Sequence, residues 1–135
     1  MISEIETAIV NRLNSQITTI KAVATPDEPD GFKELPSKVS NGLIVVTYKG
    51  TTFETLTQGA SDQERTIQFA VFLLYKTLRD HSGSYALLKS IRTALNGYAV
   101  WSTIPLECVE ERFLAHTPDL WLWGMTFQIE VLNEE

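Results

Sequence analysis

Few residues in this chain could carry chemistry, and their spacing matches no metal site. The two histidines, His81 and His116, do not form an H-x-x-x-H pattern, and Cys108 is the single cysteine, so C-x-x-C pairs and intrachain disulfides are absent. Cys108 falls in an apparent strand, where a small packed side chain is a commoner role than a nucleophile. We predict no metal-binding or cofactor-binding residues.

Serine and carboxylate motifs are equally incomplete. Ser82 and Ser84 flank Gly83, but the surrounding sequence is not the G-x-S-x-G of a nucleophile elbow, and no G-x-x-x-x-G-K-[ST] phosphate loop occurs. Glu110 and Glu111 are adjacent, and neighbouring side chains of a strand point to opposite faces, so the pair does not flank one substrate bond. We therefore predict that the protein has no catalytic residues and is not an enzyme.

The acidic stretch 27–31 invites comparison with a calcium-binding loop. Placing Gly31 at the sixth position of an EF-hand loop puts Pro26 first and Ser37 twelfth, and neither supplies the required carboxylate. The stretch lies in a segment, 25–40, whose three prolines prevent a regular helix or strand. We predict a solvated loop there.

Two long loops are the predicted contact surfaces, because loops present adaptable side chains while a sheet holds them in position. They span residues 25–40 and 55–62. The candidate subunit-interface residues in and beside them are Asp27, Glu28, Asp30, Phe32, Gln58, Asp62 and Arg65.

Trp121 and Trp123 share one face of the last predicted strand. Core packing is the simpler role, because apolar residues continue along the same face. A platform that stacks bases or sugars is an alternative, and an exposed pair would favour a protein interface.

Composition indicates an ordinary folded domain. The chain has 135 residues, with 44% hydrophobic and 21% charged, and we predict a single domain over residues 1–135. Eleven Lys and Arg are outnumbered by seventeen Asp and Glu, which disfavours tight binding to nucleic-acid phosphates but leaves a local basic patch open. No apolar run approaches the ~20 residues that span a bilayer, and no signal peptide is evident, so we expect synthesis in the cytoplasm and no membrane contact.

Hydrophobic periodicity predicts two helices and four or five strands. The first helix has Ser3 and Glu6 as a capping box, and the second begins near residues 81–84 and ends at Asn96-Gly97. The apolar stripe of the second helix is Tyr85, Leu88, Ile91 and Leu95, and the predicted strands are 17–23, 43–53, 63–78, 106–115 and 120–132. We predict an α+β fold, with a mainly antiparallel four- to five-stranded sheet and two helices packed on one face.

Three stretches together resemble one family. Residues 1–13, MISEIETAIVNRL, resemble the first helix of small proteins from Mu-like phages and prophages. Residues 63–69 through 83–88 resemble the long strand and following helix of that family, and 111–114 with 121–129 resemble its last hairpin. In this order they span nearly the whole chain, which is therefore similar to the phage tail-terminator-like group.

The resemblance implies a structural protein of the virion tail, made in the bacterial host cytoplasm. It implies a homo-oligomeric ring, typically a hexamer, at the head-proximal end of the tail tube, where it ends tube polymerisation and prepares head–tail joining. Tail tube and head-completion proteins would be partners, and DNA would pass through without specific binding. The alternative is a binding module that forms no ring, such as a neck, tail-completion or host-partner adaptor.

Overall fold

A computed structural model describes residues 2–24, 42–54, 64–76, 81–101, 104–116 and 121–131. The element order is α1 (Ile2–Gln16), β1 (Lys21–Ala24), β2 (Gly42–Phe53), β3 (Arg65–Tyr75), α2 (His81–Leu95), β4 (Ala99–Trp101), β5 (Ile104–Pro105), β6 (Glu107–His116) and β7 (Trp121–Val131). The predicted α+β class is confirmed.

Helix α1 forms because three apolar side chains recur at helical spacing and are withdrawn from solvent. Ile5, Ile9 and Leu13 each have no exposed surface. The helix begins at Ile2, so Ser3 lies in its first turn rather than before it. Ile17 still donates its backbone N–H to the carbonyl of Leu13, at 2.8 Å, which explains why β1 starts later than the predicted strand at 17–23.

Within the described residues, five strands form the main sheet in the order β1-β2-β3-β7-β6. The pairs β2–β3, β3–β7 and β6–β7 are antiparallel, as predicted, whereas β1 runs parallel to β2. Strands β4 and β5 form a separate two-stranded sheet where the sequence predicted only a connection.

The core lies between one face of the sheet and both helices. Alternate residues of β3 and β7 point into it, led by Phe69 and Phe127, and neither ring is exposed. Helix α2 contributes Leu88, Ile91 and Leu95 from its predicted stripe. The buried residues that form this cluster come from α1, α2 and the sheet, so both helices cover the same face, as predicted.

Helix α2 ends where the sequence predicts. Gly97 has φ 83°, in the left-handed region where glycine carries no Cβ penalty, and the N–H of Asn96 bonds to the carbonyl of Arg92 at 2.8 Å. The side-chain oxygen of Asn96 accepts from the backbone N–H of Cys108 at 2.9 Å. The end of α2 is thereby fixed to the start of β6.

Candidate interaction surfaces

Four aromatic side chains cluster at one end of the sheet, and we call this surface the aromatic end. It comprises Tyr85 from α2, Phe113 from β6, and Trp121 and Trp123 from β7. The ring of Phe113 lies 5.4 Å from that of Trp121 and 5.2 Å from that of Trp123, and Tyr85 meets Trp123 edge-on at 5.8 Å. The cluster is therefore continuous across a helix and two strands.

The aromatic end is only partly withdrawn from solvent. Tyr85 is 54% exposed and Phe113 is 42% exposed, while Trp121 and Trp123 are half-buried. Tyr85 belongs to the predicted apolar stripe of α2, but it is exposed where the other three residues of that stripe are buried. Partly exposed aromatic side chains are typical anchors of protein interfaces.

The opposite end of the sheet carries acidic groups, and we call it the acidic end. A cavity of about 230 Å³ there is lined by Glu54, Glu64, Arg65, Thr66, Glu130 and Val131. The three glutamates are exposed, and Phe53 beside them is 57% exposed. The backbone N–H of Glu54 bonds to the carbonyl of Glu64 at 2.9 Å and joins the end of β2 to the start of β3.

The two ends are separated by the length of a strand. In the β3–β7 pair Arg65 is opposite Val131, at the acidic end, and Tyr75 is opposite Trp121, at the aromatic end. At about 3.3 Å per residue, the span of β3 is roughly 33 Å. The molecule therefore presents two chemically different surfaces at opposite ends.

The sheet face turned away from the helices is divided along the strands. Toward the aromatic end, Leu43 and Val45 form a second small apolar cluster with Val23, Phe72 and Leu74. Toward the acidic end, a polar row crosses the sheet, in which Gln68 donates to Gln128 and Gln128 donates to Glu107, both at 3.4 Å. This half of the face is hydrophilic.

Both edges of the sheet carry features that hinder strand addition. At β1, the side-chain amide of Asn14 donates to the carbonyl of Ala22 and accepts from its N–H, both at 2.9 Å. At β6, the pairing with β7 shifts register twice, between Cys108 and Glu110 and between Phe113 and Ala115. Blocked and irregular edges of this kind protect a sheet from uncontrolled pairing.

The groups that could have been catalytic are arranged for packing and for surface ion pairs. Arg92 pairs with Glu111, and Arg112 pairs with Glu110 at 3.2 Å. Burial, followed by the charge of Glu111, raises the pKa of the Cys108 thiol, which opposes thiolate formation. Ser84 lies inside α2 and is 3% exposed.

The described residues form neither a metal-binding cluster nor a membrane-spanning helix. Among the described residues, no group of three or more His, Cys, Asp or Glu side chains is placed to hold a metal ion. None of the helices in the described ranges is long and apolar enough to cross a membrane.

Arg65 is the one predicted interface residue that the structure describes. It lies half-buried at the start of β3 and lines the cavity of the acidic end. The remaining candidates lie outside the described residues: Asp27, Glu28, Asp30, Phe32, Gln58 and Asp62. The sequence did not indicate Tyr85 and Phe113 as surface residues, because helical and strand spacing alone does not reveal where a sheet ends.

Comparisons with known proteins agree on the fold. A chain from the virion of a native gene transfer agent particle matches with a TM-score of 0.68 at 11% identity, covering 95% of this chain and 94% of that one. A chain from the sheath/tube terminator of an extracellular contractile injection system, in its extended state, matches with a TM-score of 0.55 at 10% identity. That match covers 98% of this chain and 57% of the other, which is longer. At these identities the likeness shows a shared fold.

No curated protein matches the sequence. A family model does match it, under the description Gp37 protein, and the match covers residues 9–135. With the two shared folds, this confirms the resemblance to a tail-terminator-like family. The chain belongs to the Gp37 protein family.

Proposed function

We propose that this protein is a structural subunit of a phage or prophage tail, which forms a ring at the head-proximal end of the tail tube. There it ends tube polymerisation and prepares the tail for joining to the head. The observation that carries the proposal is the fold shared with a sheath/tube terminator over 98% of this chain. The likeness to a chain of a gene transfer agent virion supports the same kind of particle.

The two ends of the sheet are the physical feature that suits a ring. A closed ring made by head-to-tail contacts needs two different, complementary surfaces on each subunit. The aromatic end and the acidic end are different, and they lie on opposite sides of one rigid sheet. We propose a homo-oligomer, with six subunits as the expected number.

The remaining partners follow from that position in the particle. The ring would contact tail tube proteins on one side and head-completion proteins on the other. DNA would pass through without specific binding, because a net charge of −6 on each subunit opposes the capture of phosphates. The protein would be made in the cytoplasm of the bacterial host, would act in the virion tail without membrane contact, and would use no catalytic group or cofactor. We also propose that the protein comes from a Mu-like phage or prophage.

Deletion of the gene followed by electron microscopy of lysates tests the function. The expected result is tails that are abnormally long or lack heads, because nothing ends the growing tube. Expression of the intact chain from a plasmid should restore normal tails. Normal virions assembled in its absence would refute the proposed role.

A second candidate is a binding module that forms no ring and acts as a neck, tail-completion or host-partner adaptor. The exposed aromatic end favours this adaptor role, because partly exposed aromatic side chains fit many protein partners. The mass of the particle at the end of the tail distinguishes the two, since a ring contains several copies and an adaptor one or two.

A further inference from the structure

We infer that neighbouring copies of this chain join head to tail, with the aromatic end of one copy seated on the acidic end of the next. This inference rests on the proposed ring and identifies the surfaces that close it. The proposed occupant of the aromatic end is a second copy of the same chain.

The aromatic end carries basic groups beside its apolar surface. Lys89 follows Tyr85 by four residues on α2, so the two side chains are neighbours on one helix face, and both are exposed. Lys76 follows Tyr75 directly, at the end of β3 opposite Trp121. Neither lysine forms an ion pair with another described residue.

The acidic end offers the complementary chemistry. Glu64 and Glu130 are exposed and form no ion pair within the described ranges. With Glu54 they line a cavity of about 230 Å³, and Arg65 is the basic residue among its described lining residues. The cavity has the volume of several water molecules, at ~30 Å³ each, and so has room for a lysine side chain. The exposed ring of Phe53 beside it supplies an apolar contact for the aromatic end.

Contact between unlike ends of two copies is more favourable than a symmetric contact or an edge-to-edge contact between them. If two aromatic ends met each other, Lys89 would face Lys89, and like charges at an interface are costly. If two sheets joined edge to edge, the Asn14 bonds to Ala22 and the irregular register of β6 would have to be disrupted. Contact between unlike ends places positive groups on negative ones and leaves both edges unchanged.

Charge reversal at each end tests the inference on the full chain, with particle mass measured by native mass spectrometry and sedimentation velocity. The variants are Glu130→Lys at the acidic end and Lys89→Glu at the aromatic end. Each alone places like charges in contact and should weaken association on the order of tenfold or more. Both residues are exposed, so circular dichroism should show an unchanged fold. Lys49→Glu is the matched control: Lys49 is exposed within β2, away from both ends, so its charge reversal removes a 3.2 Å bond to Thr126 but should leave association unchanged.

Mixing the two variants gives the decisive result. In a head-to-tail ring with alternating subunits, the acidic end altered by Glu130→Lys meets the aromatic end altered by Lys89→Glu, so the charges at that contact are opposite again. The remaining contact is that of the original chain. The mixture should therefore recover the mass of the original ring. Recovery in the mixture but not in either variant alone supports the inference.

Three outcomes would overturn the inference: an original chain that stays monomeric at every concentration, single variants that associate normally, or a mixture that does not recover. Each of these concerns the contact between copies in solution. The deletion phenotype tests the role in the tail by itself, so failure of the inference and failure of the proposed function are separate observations.

Discussion

Gly124 shows how a single residue without a side chain shapes the outer face of this sheet. It lies in β7 between Phe72 of β3 and Arg112 of β6. A Cβ atom built on Gly124 would lie 2.8 Å from Cδ1 of Leu114. A side chain at this position would therefore have to displace the side chain of Leu114, which packs over the backbone of β7 beside the second register shift of β6.

We predict that Gly124→Val destabilises the fold by about 1–3 kcal/mol, as overpacking of a close contact does. Most of the loss should disappear in a Leu114→Ala background, because the valine would then occupy the space of the leucine. Urea unfolding of the two single variants and the double variant measures the coupling between the sites. Purely additive losses would show that Leu114 is not the obstacle.

At the scale of elements, a side chain of α1 holds β1, the short strand at one edge of the sheet. Strand β1 has four residues and is bonded to a strand on one side alone. The amide of Asn14 satisfies both the N–H and the carbonyl of Ala22, whose side chain is buried. One side chain thereby satisfies both backbone groups of Ala22 on this edge strand and hinders the addition of another strand there.

We predict that Asn14→Ala destabilises the fold by about 1–3 kcal/mol, since it leaves two partly buried backbone groups without a side-chain partner. Asn14→Asp should be similarly harmful, because its carboxylate accepts from the N–H of Ala22 but repels the carbonyl. Hydrogen exchange at the amide of Ala22 should accelerate in both. Ser15→Ala removes an exposed 2.8 Å bond to the carbonyl of Arg12 and serves as the control with little effect.

The elements that the sequence predicted well are those whose signal is local. The alternation in β3, with Ile67, Phe69, Val71 and Leu73 buried, follows directly from its odd-numbered apolar residues. The stop of α2 at Asn96-Gly97 is encoded by two adjacent residues. The parallel pairing of β1 with β2 was not predicted, because the direction of pairing depends on contacts between segments about twenty residues apart.

The candidate site was predictable only in part for the same reason. The sequence indicates Arg65 because it lies beside a loop, whereas its acidic neighbours Glu54 and Glu130 come from two other segments. Tyr85, Phe113 and Trp123 likewise meet only after α2, β6 and β7 have packed. Trp123 packs against the core, in line with the core-packing role predicted for it, while the interface role of Trp121 and Trp123 beside Phe113 stays a prediction.

At the scale of the whole molecule, the two ends of the sheet differ in charge and in aromatic content. Aromatic and basic groups lie at one end of an antiparallel sheet, acidic groups lie at the other, and roughly 33 Å of strand separates them. The proposed contact joins unlike ends, and its apolar part should persist when salt screens the charges.

The apolar contribution is tested by Tyr85→Ala. Tyr85 is 54% exposed and contacts Trp123 by one edge, so its removal should lower the stability of the isolated subunit less than it weakens association of copies, expected at about 1–3 kcal/mol for an aromatic anchor. Tyr48→Ala is the matched control: Tyr48 is 38% exposed, lies within β2 and packs on Phe69 at 5.7 Å. Because Tyr48 is remote from both ends, its loss should lower stability and leave association unchanged. Tyr85→Ala should thus mainly weaken association, and Tyr48→Ala should mainly lower the free energy of unfolding. Urea unfolding measures the stability, and sedimentation velocity at ~0.1 M and ~1 M salt measures the association. Equal association of the Tyr85 variant and the original chain at both salt concentrations would show that the aromatic end makes no contact between copies.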